Sequence, residues 1–144
     1  MALKNTLASL TWLRIARFTQ QSNALSNEFL KQYGLTAAQF DVLVQVAAGE
    51  PLTQQRLASQ LLVSEGGTSR MLKRIEELGW IVRRKEWKTN WISLTNEGRN
   101  LLKDVYEAQL AFQSALFEDS LSDDEQKTLY DLMTKLQKHT AQKL

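Results

Sequence analysis

Residues 52–84 read LTQQRLASQLLVSEGGTSRMLKRIEELGWIVRR, and residues 92–98 follow as ISLTNEG. Thr53 is placed to cap a short helix over Gln54–Gln60, because its hydroxyl can accept from a free amide of the first turn. Ser64 is a second N-cap, for a helix from Glu65 to Leu78 that ends at Gly79, with Trp80 set to pack back on Ile75. Leu61, Leu62 and Val63 join the two, so the segment predicts a helix-turn-helix. On the second helix Thr68, Met71, Leu72, Ile75 and Leu78 recur at helical spacing, while Gly66, Arg70, Lys73, Arg74 and Glu77 fall on the other side. One face is apolar and the other mainly basic. Gly66 and Gly67 each cost about 1 kcal/mol relative to Ala in a helix. They mark either loose packing under the preceding turn or close approach of a phosphate or base edge to the helix start.

Beyond this helix the period changes. Trp80–Glu86 and Trp91–Leu94 are rich in β-branched and aromatic residues, and Trp87–Asn90 between them predicts a hairpin turn. This is the only β structure expected. Trp87 and Trp91 are read as cross-strand partners that stiffen the hairpin, in preference to a DNA or ligand contact.

Upstream, residues 35–47 read LTAAQFDVLVQVA. Thr36 and Gln39 form a capping box, flanked by Leu35 and Phe40 as a hydrophobic staple, and the helix they start stops at Gly49 before Pro51. A first long helix is expected from Ala2 to Tyr33, closed by Gly34. Leu3, Leu7, Leu10, Phe18, Leu25 and Phe29 fall on one side of it, and Trp12 and Leu30 on another flank. Two apolar strips offer more surface than one small core can bury, which points to a partner subunit. Downstream, Thr95 caps a helix running to about Phe117, and Ser122 with Glu125 makes a capping box for a last helix carrying Leu129, Leu132, Met133 and Leu136 on one side. The expectation is one domain over residues 1–144, mainly α with a small β-hairpin wing.

Composition narrows the function. With 43% hydrophobic and 24% charged residues the chain matches an ordinary globular protein, and neither a membrane span nor a signal peptide is expected. A cytoplasmic location is expected. No Cys and a single His, His139, leave little material for zinc sites, cysteine nucleophiles or Ser-His triads. The acidic residues sit in caps or helical charge patterns, so no enzyme, metal or cofactor is expected. The net charge of +2 says little until it is divided. Residues 53–99 hold nine basic against five acidic residues, a net +4, which leaves −2 for the remainder. The positive field belongs to the helix-turn-helix and hairpin, the polarity of a DNA-facing module with a separate association module.

The order of elements and the three quoted runs resemble the MarR family of bacterial winged-helix transcription regulators over nearly the whole chain. The resemblance is most specific from Thr53 to Gly98. It implies a homodimer built from helical regions 1–33 and 99–144, and a DNA-binding lobe over 34–98. Each subunit would offer a recognition helix to the major groove and a wing to the minor groove of double-stranded DNA. By position, Ser64, Gly66, Gly67, Thr68, Ser69 and Arg70 match the part of the recognition helix that meets DNA. Lys73 and Arg74 would follow a backbone, and Gln54, Gln55 and Arg56 would touch phosphates. Family wings carry an Asp-x-Arg type motif at the tip. This hairpin reads Arg83-Arg84-Lys85-Glu86-Trp87-Lys88-Thr89-Asn90-Trp91 and lacks it, so Lys88 in the groove, or Arg83, Arg84 and Lys85 along the backbone, are the candidates.

The function expected is repression from a pseudo-palindromic operator, released by a small-molecule ligand. In the family such effectors lodge where the first, second and fifth helices meet the lobe, and Trp12, Phe18, Tyr33 and Phe40 are the aromatic candidates there. Absence of Cys excludes a thiol-oxidation switch. The alternative is a winged-helix protein-interaction module whose basic face meets an acidic partner.

Overall fold

The computed structural model of the chain describes residues 1–62 and 67–144. Helix α1 spans Leu7–Leu30, and a single 3-10 turn follows over Lys31–Tyr33. The helix starts later than the apolar pattern suggests because Thr6 is its N-cap, its hydroxyl accepting from Ser9 N at 3.0 Å. Gly34 takes φ 71° and donates to Lys31 O, while Leu35 N donates to Leu30 O, the paired closure that a left-handed residue permits. Helix α2, Ala37–Gly49, begins with both halves of the Thr36–Gln39 box formed.

Strand β1 is only Leu52–Thr53, and α3 spans Gln54–Gln60 with Thr53 as its cap. Helix α4 covers Thr68–Glu77; its expected beginning at Ser64, Glu65 and Gly66 lies outside the described residues. Gly79 at φ 82° ends it, and Trp80 N donates to Ile75 O at 3.2 Å. Strands β2, Ile81–Glu86, and β3, Thr89–Leu94, form the hairpin.

Two expectations about the sheet are corrected. It has a third strand, in the order β1-β3-β2, with Leu52 opposite Ile92 and Thr53 opposite Trp91. The connection between β2 and β3 is Trp87 and Lys88 alone, since Glu86 already pairs with Thr89. Trp91 therefore faces Arg84 across the hairpin, and Trp87 stands at the tip with 92% of its surface exposed. The two tryptophans are not cross-strand partners.

Helix α5 is Asn96–Glu118, and α6, Asp123–Ala141, begins with both halves of the Ser122–Glu125 box formed. The chain divides into two compact units, Met1–Gln109 and Leu110–Leu144, so α5 contributes residues to each. The first unit holds the core. Leu30, Val42, Leu43, Val46, Leu57, Leu72, Ile75, Ile92 and Val105 are fully buried in it. Burying a side chain of this kind contributes roughly 1.5–3 kcal/mol, so α2, α3, α4, β3 and α5 are held together by a shared apolar centre. Along α1 only Ser26 and Leu30 are buried, whereas Leu7, Leu10, Trp12, Leu13 and Leu25 are exposed. In the second unit α6 has no buried residue. No helix among the described residues is long and apolar enough to cross a membrane.

Candidate nucleic-acid interface

Helix α4 is anchored from behind by Thr68, Leu72 and Ile75, all buried. That anchoring fixes which residues look outward. Ser69, Arg70, Lys73 and Arg74 are exposed, and the three cations stand at i, i+3 and i+4, the spacing of one helical face. Among the described residues none of these cations has an ion-pair partner, although the same unit contains three ion pairs elsewhere. Gly67 precedes the helix at a negative φ, and a Cβ added there would meet nothing within 4 Å among the described residues. Ser64 and Gly66 lie outside the described residues.

The base of the helix-turn-helix is fastened by carboxylates. Asp41 on α2 accepts from Leu62 N at 2.9 Å and from the Gln45 amide at 3.3 Å, which ties the end of α3 to α2. Glu50 accepts from Leu94 N at 2.7 Å and pairs with Arg99, joining the α2 terminus to β3 and α5. Thr95 closes the corner. Its hydroxyl donates to Gly79 O and accepts from Gly98 N, and a Cβ at Gly98 would lie 2.0 Å from the Trp80 carbonyl oxygen. The L-T-x-x-G run needs its glycine because two backbones touch there.

On the wing, alternation separates the neighbouring arginines. Arg83 turns toward the lobe, where its Nε and Nη2 donate to Glu76 at 3.2 and 2.9 Å and its Nη1 donates to Gln54 at 3.3 Å. The hydrogen bond from Arg83, opposed by partial burial, holds the Glu76 carboxyl below its ordinary value, and the same bond raises Arg83. One guanidinium thus links α3, α4 and β2, and its charge is matched. Arg84, Lys85 and Lys88 are exposed, as are Gln55 and Arg56 at the start of α3. Lys88, Thr89 and Asn90 share a shallow polar groove of about 270 Å³ with Thr53, Gln54 and Gln55. The sequence reading missed the roles of Glu76, Glu50 and Asp41, whose partners lie 7, 49 and 21 residues away.

The aromatic candidates for an effector are dispersed. Phe40 stacks on Tyr106 with centroids 6.3 Å apart, and Tyr33 tilts against Phe29 at 6.0 Å. Tyr33 and Phe40 are half-buried against the core, while Trp12 is 66% exposed and Phe18 is exposed on α1. A concavity of about 400 Å³ is lined by Ala47, Leu94, Arg99, Leu102, Lys103, Tyr106 and Glu107, so Phe40 borders it only through Tyr106. Among the described residues no cluster of three or more His, Cys, Asp or Glu could hold a metal ion.

Comparison with known proteins agrees with this geometry. Residues 33–86 match the model of the MarR family. An uncharacterized HTH-type transcriptional regulator of Bacillus cereus is 56% identical over 139 residues, 96% of this chain and 95% of the relative. A MarR mutant from E. coli, crystallised with operator DNA, is 28% identical with a TM-score of 0.77, covering 85% of this chain and 89% of that one. A MarR regulator from Methanosarcina mazei shares the fold at a TM-score of 0.84 and 15% identity, over 99% of this chain and 96% of that one. The anchored helix with its cationic outer face, the three-stranded wing and these likenesses agree, and the chain belongs to the MarR family of winged helix-turn-helix transcriptional regulators.

Proposed function

We propose that the protein is a homodimeric repressor that binds a pseudo-palindromic operator and leaves it when a small-molecule effector binds. The observation that carries the DNA-binding half is the outer face of α4, where Arg70, Lys73 and Arg74 are exposed beside Ser69 without an ion-pair partner among the described residues. A surface held in this charged state by the fold gains most from a polyanion, because each neutralised phosphate releases counterions. Arg70, nearest the helix start, is assigned to a base edge. Lys73, Arg74, Gln55, Arg56, Arg84, Lys85 and Lys88 are assigned to phosphates, and Arg83 with Gln54 to holding the wing in place. The E. coli relative that was crystallised with operator DNA supports this docking.

Dimer formation is supported by the apolar exposure of α1 and of α6, where Leu7 and Leu132 are 82% and 61% exposed. Two recognition helices about 34–36 Å apart would read successive major grooves. The effector would act by preferring a dimer with a different spacing, shifting the population by its differential affinity. The concavity beside Tyr106 is lined by the apolar Ala47, Leu94 and Leu102 together with Arg99, Lys103 and Glu107, and Phe40, Tyr33, Phe18 and Trp12 remain the aromatic candidates for closing such a site. The reading makes the protein a non-catalytic regulator that works at the chromosome, in the cytoplasm.

The test begins with a duplex selected from random sequence by the wild-type protein. Its binding is titrated at several salt concentrations against an unrelated duplex. Tight binding to the selected duplex should fall steeply with salt, and Arg70→Ala should weaken it by about 1–3 kcal/mol. Equal affinity of Arg70→Ala and wild type would refute the docking, and failure to select any duplex would favour an acidic protein partner for the basic face.

A further inference from the structure

Trp87 and Lys88 make up the whole connection between β2 and β3. Trp87 sits there at φ 60° with 92% of its surface exposed. In a two-residue hairpin connection a positive φ at the first central residue is the place for glycine, and a bulky side chain is disfavoured. The strand register gives the indole no partner across the hairpin, because Trp91 lies opposite Arg84 and Thr53 and the pair nearest the turn is Glu86 with Thr89. Neither backbone preference nor packing within the chain accounts for a tryptophan at this tip.

Its surroundings identify what the ring would meet. Arg84, Lys85 and Lys88 are exposed within three residues of it, without ion-pair partners among the described residues, and Glu86, which lines one face of the hairpin with Arg84 and Trp91, is its one acid. An exposed apolar ring flanked along the chain by cations, on a protrusion two strands wide, matches the groove of a duplex. Phosphates on either side receive the cations, while sugars and a base step receive the ring. A protein partner would call for a broad apolar patch with little charge at its centre, which this tip does not have.

We propose that Trp87 is the groove-reading residue of the wing, entering the minor groove of the operator as an apolar wedge while Lys85 and Lys88 take the flanking phosphates. The inference rests on the DNA-binding reading above and adds the residue that replaces a missing arginine contact. A wedge opens a base step, so the wing reads deformability and favours flexible pyrimidine–purine steps where it lands.

Trp87→Gly separates this role from a structural one. Glycine suits the positive φ, so the variant should melt at or above the wild-type midpoint while its affinity for the wild-type-selected duplex falls by about fivefold or more. Sequences selected by the variant should lose the enrichment of TA and CA steps at the wing positions. Trp87→Phe, which keeps a ring, should retain most of the affinity. The emission lost in Trp87→Phe should be the fraction that DNA shields from acrylamide in the wild type. Unchanged affinity of Trp87→Gly, with Arg70→Ala still defective, overturns the wedge and leaves the DNA-binding reading standing. A wild-type protein that selects no duplex overturns both. Should Trp87→Gly fail to fold, the shielding experiment decides, and an indole still open to acrylamide in the complex overturns the proposal.

Discussion

Helices α4 and α6 are both amphipathic, with apolar residues at the same helical spacing, and the chain treats them in opposite ways. The stripe of α4 is covered, with Thr68, Leu72 and Ile75 buried against the lobe. That of α6 is not covered, and Leu129, Leu132 and Leu136 stay exposed on a helix with no buried residue. The charged faces differ as well. That of α4 is cationic, with no ion-pair partner for Arg70, Lys73 or Arg74 among the described residues, whereas α6 begins with Asp123, Asp124 and Glu125 and ends with Lys138 and His139, the order that suits its own dipole. The second unit, Leu110–Leu144, is shorter than the roughly 40 residues below which chains seldom build a stable core alone. Amphipathic spacing thus says that a helix needs a cover, and exposure says whether its own unit supplies one.

A matched pair of substitutions tests that contrast. Leu132→Glu places a charge on the uncovered stripe, and a symmetric dimer would carry it twice, so self-association should weaken by several kcal/mol and sedimentation should report monomer at micromolar concentration. The lobe should remain folded, with its wing and α4 protected from hydrogen exchange. Leu72→Ala on the covered stripe should instead lower the unfolding free energy by about 2–5 kcal/mol, with the folded fraction still assembling as wild type. A Leu132→Glu protein that sediments as wild type would remove α6 from the interface and end the comparison.

Gly98→Ala measures how tightly the covered region is built, and two effects of opposite sign compete. Alanine is favoured over glycine inside a helix by about 1 kcal/mol. Against it, the added Cβ would lie 2.0 Å from Trp80 O and 2.8 Å from its carbonyl carbon, atoms of a backbone held by Thr95 N and by the Schellman closure of α4. The clash should win, with a net loss of about 1–3 kcal/mol in thermal or chemical unfolding. A stabilised Gly98→Ala protein would mean that the corner yields and that the lobe is slack where two backbones touch.

Much of this architecture is legible in the sequence because it is local. The two capping boxes, the Thr53 cap and the glycines at 34 and 79 all involve residues within a few positions of one another, and each forms as read. What the sequence hides depends on register or distance. Strand β1 is two residues long and pairs with a strand some forty positions later. The run IVRRKE has no clean alternation, since Ile81 and Val82 are both apolar and Arg83 and Arg84 both basic. Only the register shows that Arg83 turns inward to Glu76 while Arg84 stays outside opposite Trp91. The same register sends Trp87 to the tip. On α4 the basic face was legible from period alone, because every third or fourth residue carries the pattern.

The smallest effect compares two glutamates, one in each region. Glu76 is held below its ordinary value of 4.5 first by the hydrogen bond from Arg83, and Glu125 is lowered first by the backbone hydrogen bond from Ser122. In both, the folded state favours the ionised form, so the stabilisation is complete above the ordinary carboxylate range and is lost as pH falls through the lowered folded value. Arg83 is raised above its ordinary value by the hydrogen bond to Glu76 and stays charged throughout. The side chains of Arg83 and Glu76 are 24% and 36% exposed, so solvent screens the pair and its net worth is below about 1 kcal/mol. The two sites part under substitution. Glu125→Gln keeps a side chain that can complete the capping box, so helix α6 should be little changed at pH 7. Glu76→Gln leaves Arg83 half-buried without its anion, which should lower stability at pH 7 and loosen the wing from α4. That deficit should shrink as acid protonates Glu76 in the wild type, the two unfolding curves converging below the ordinary carboxylate range. A deficit that persists unchanged at low pH would assign the effect of Glu76 to packing and would leave the wing without its electrostatic fastening.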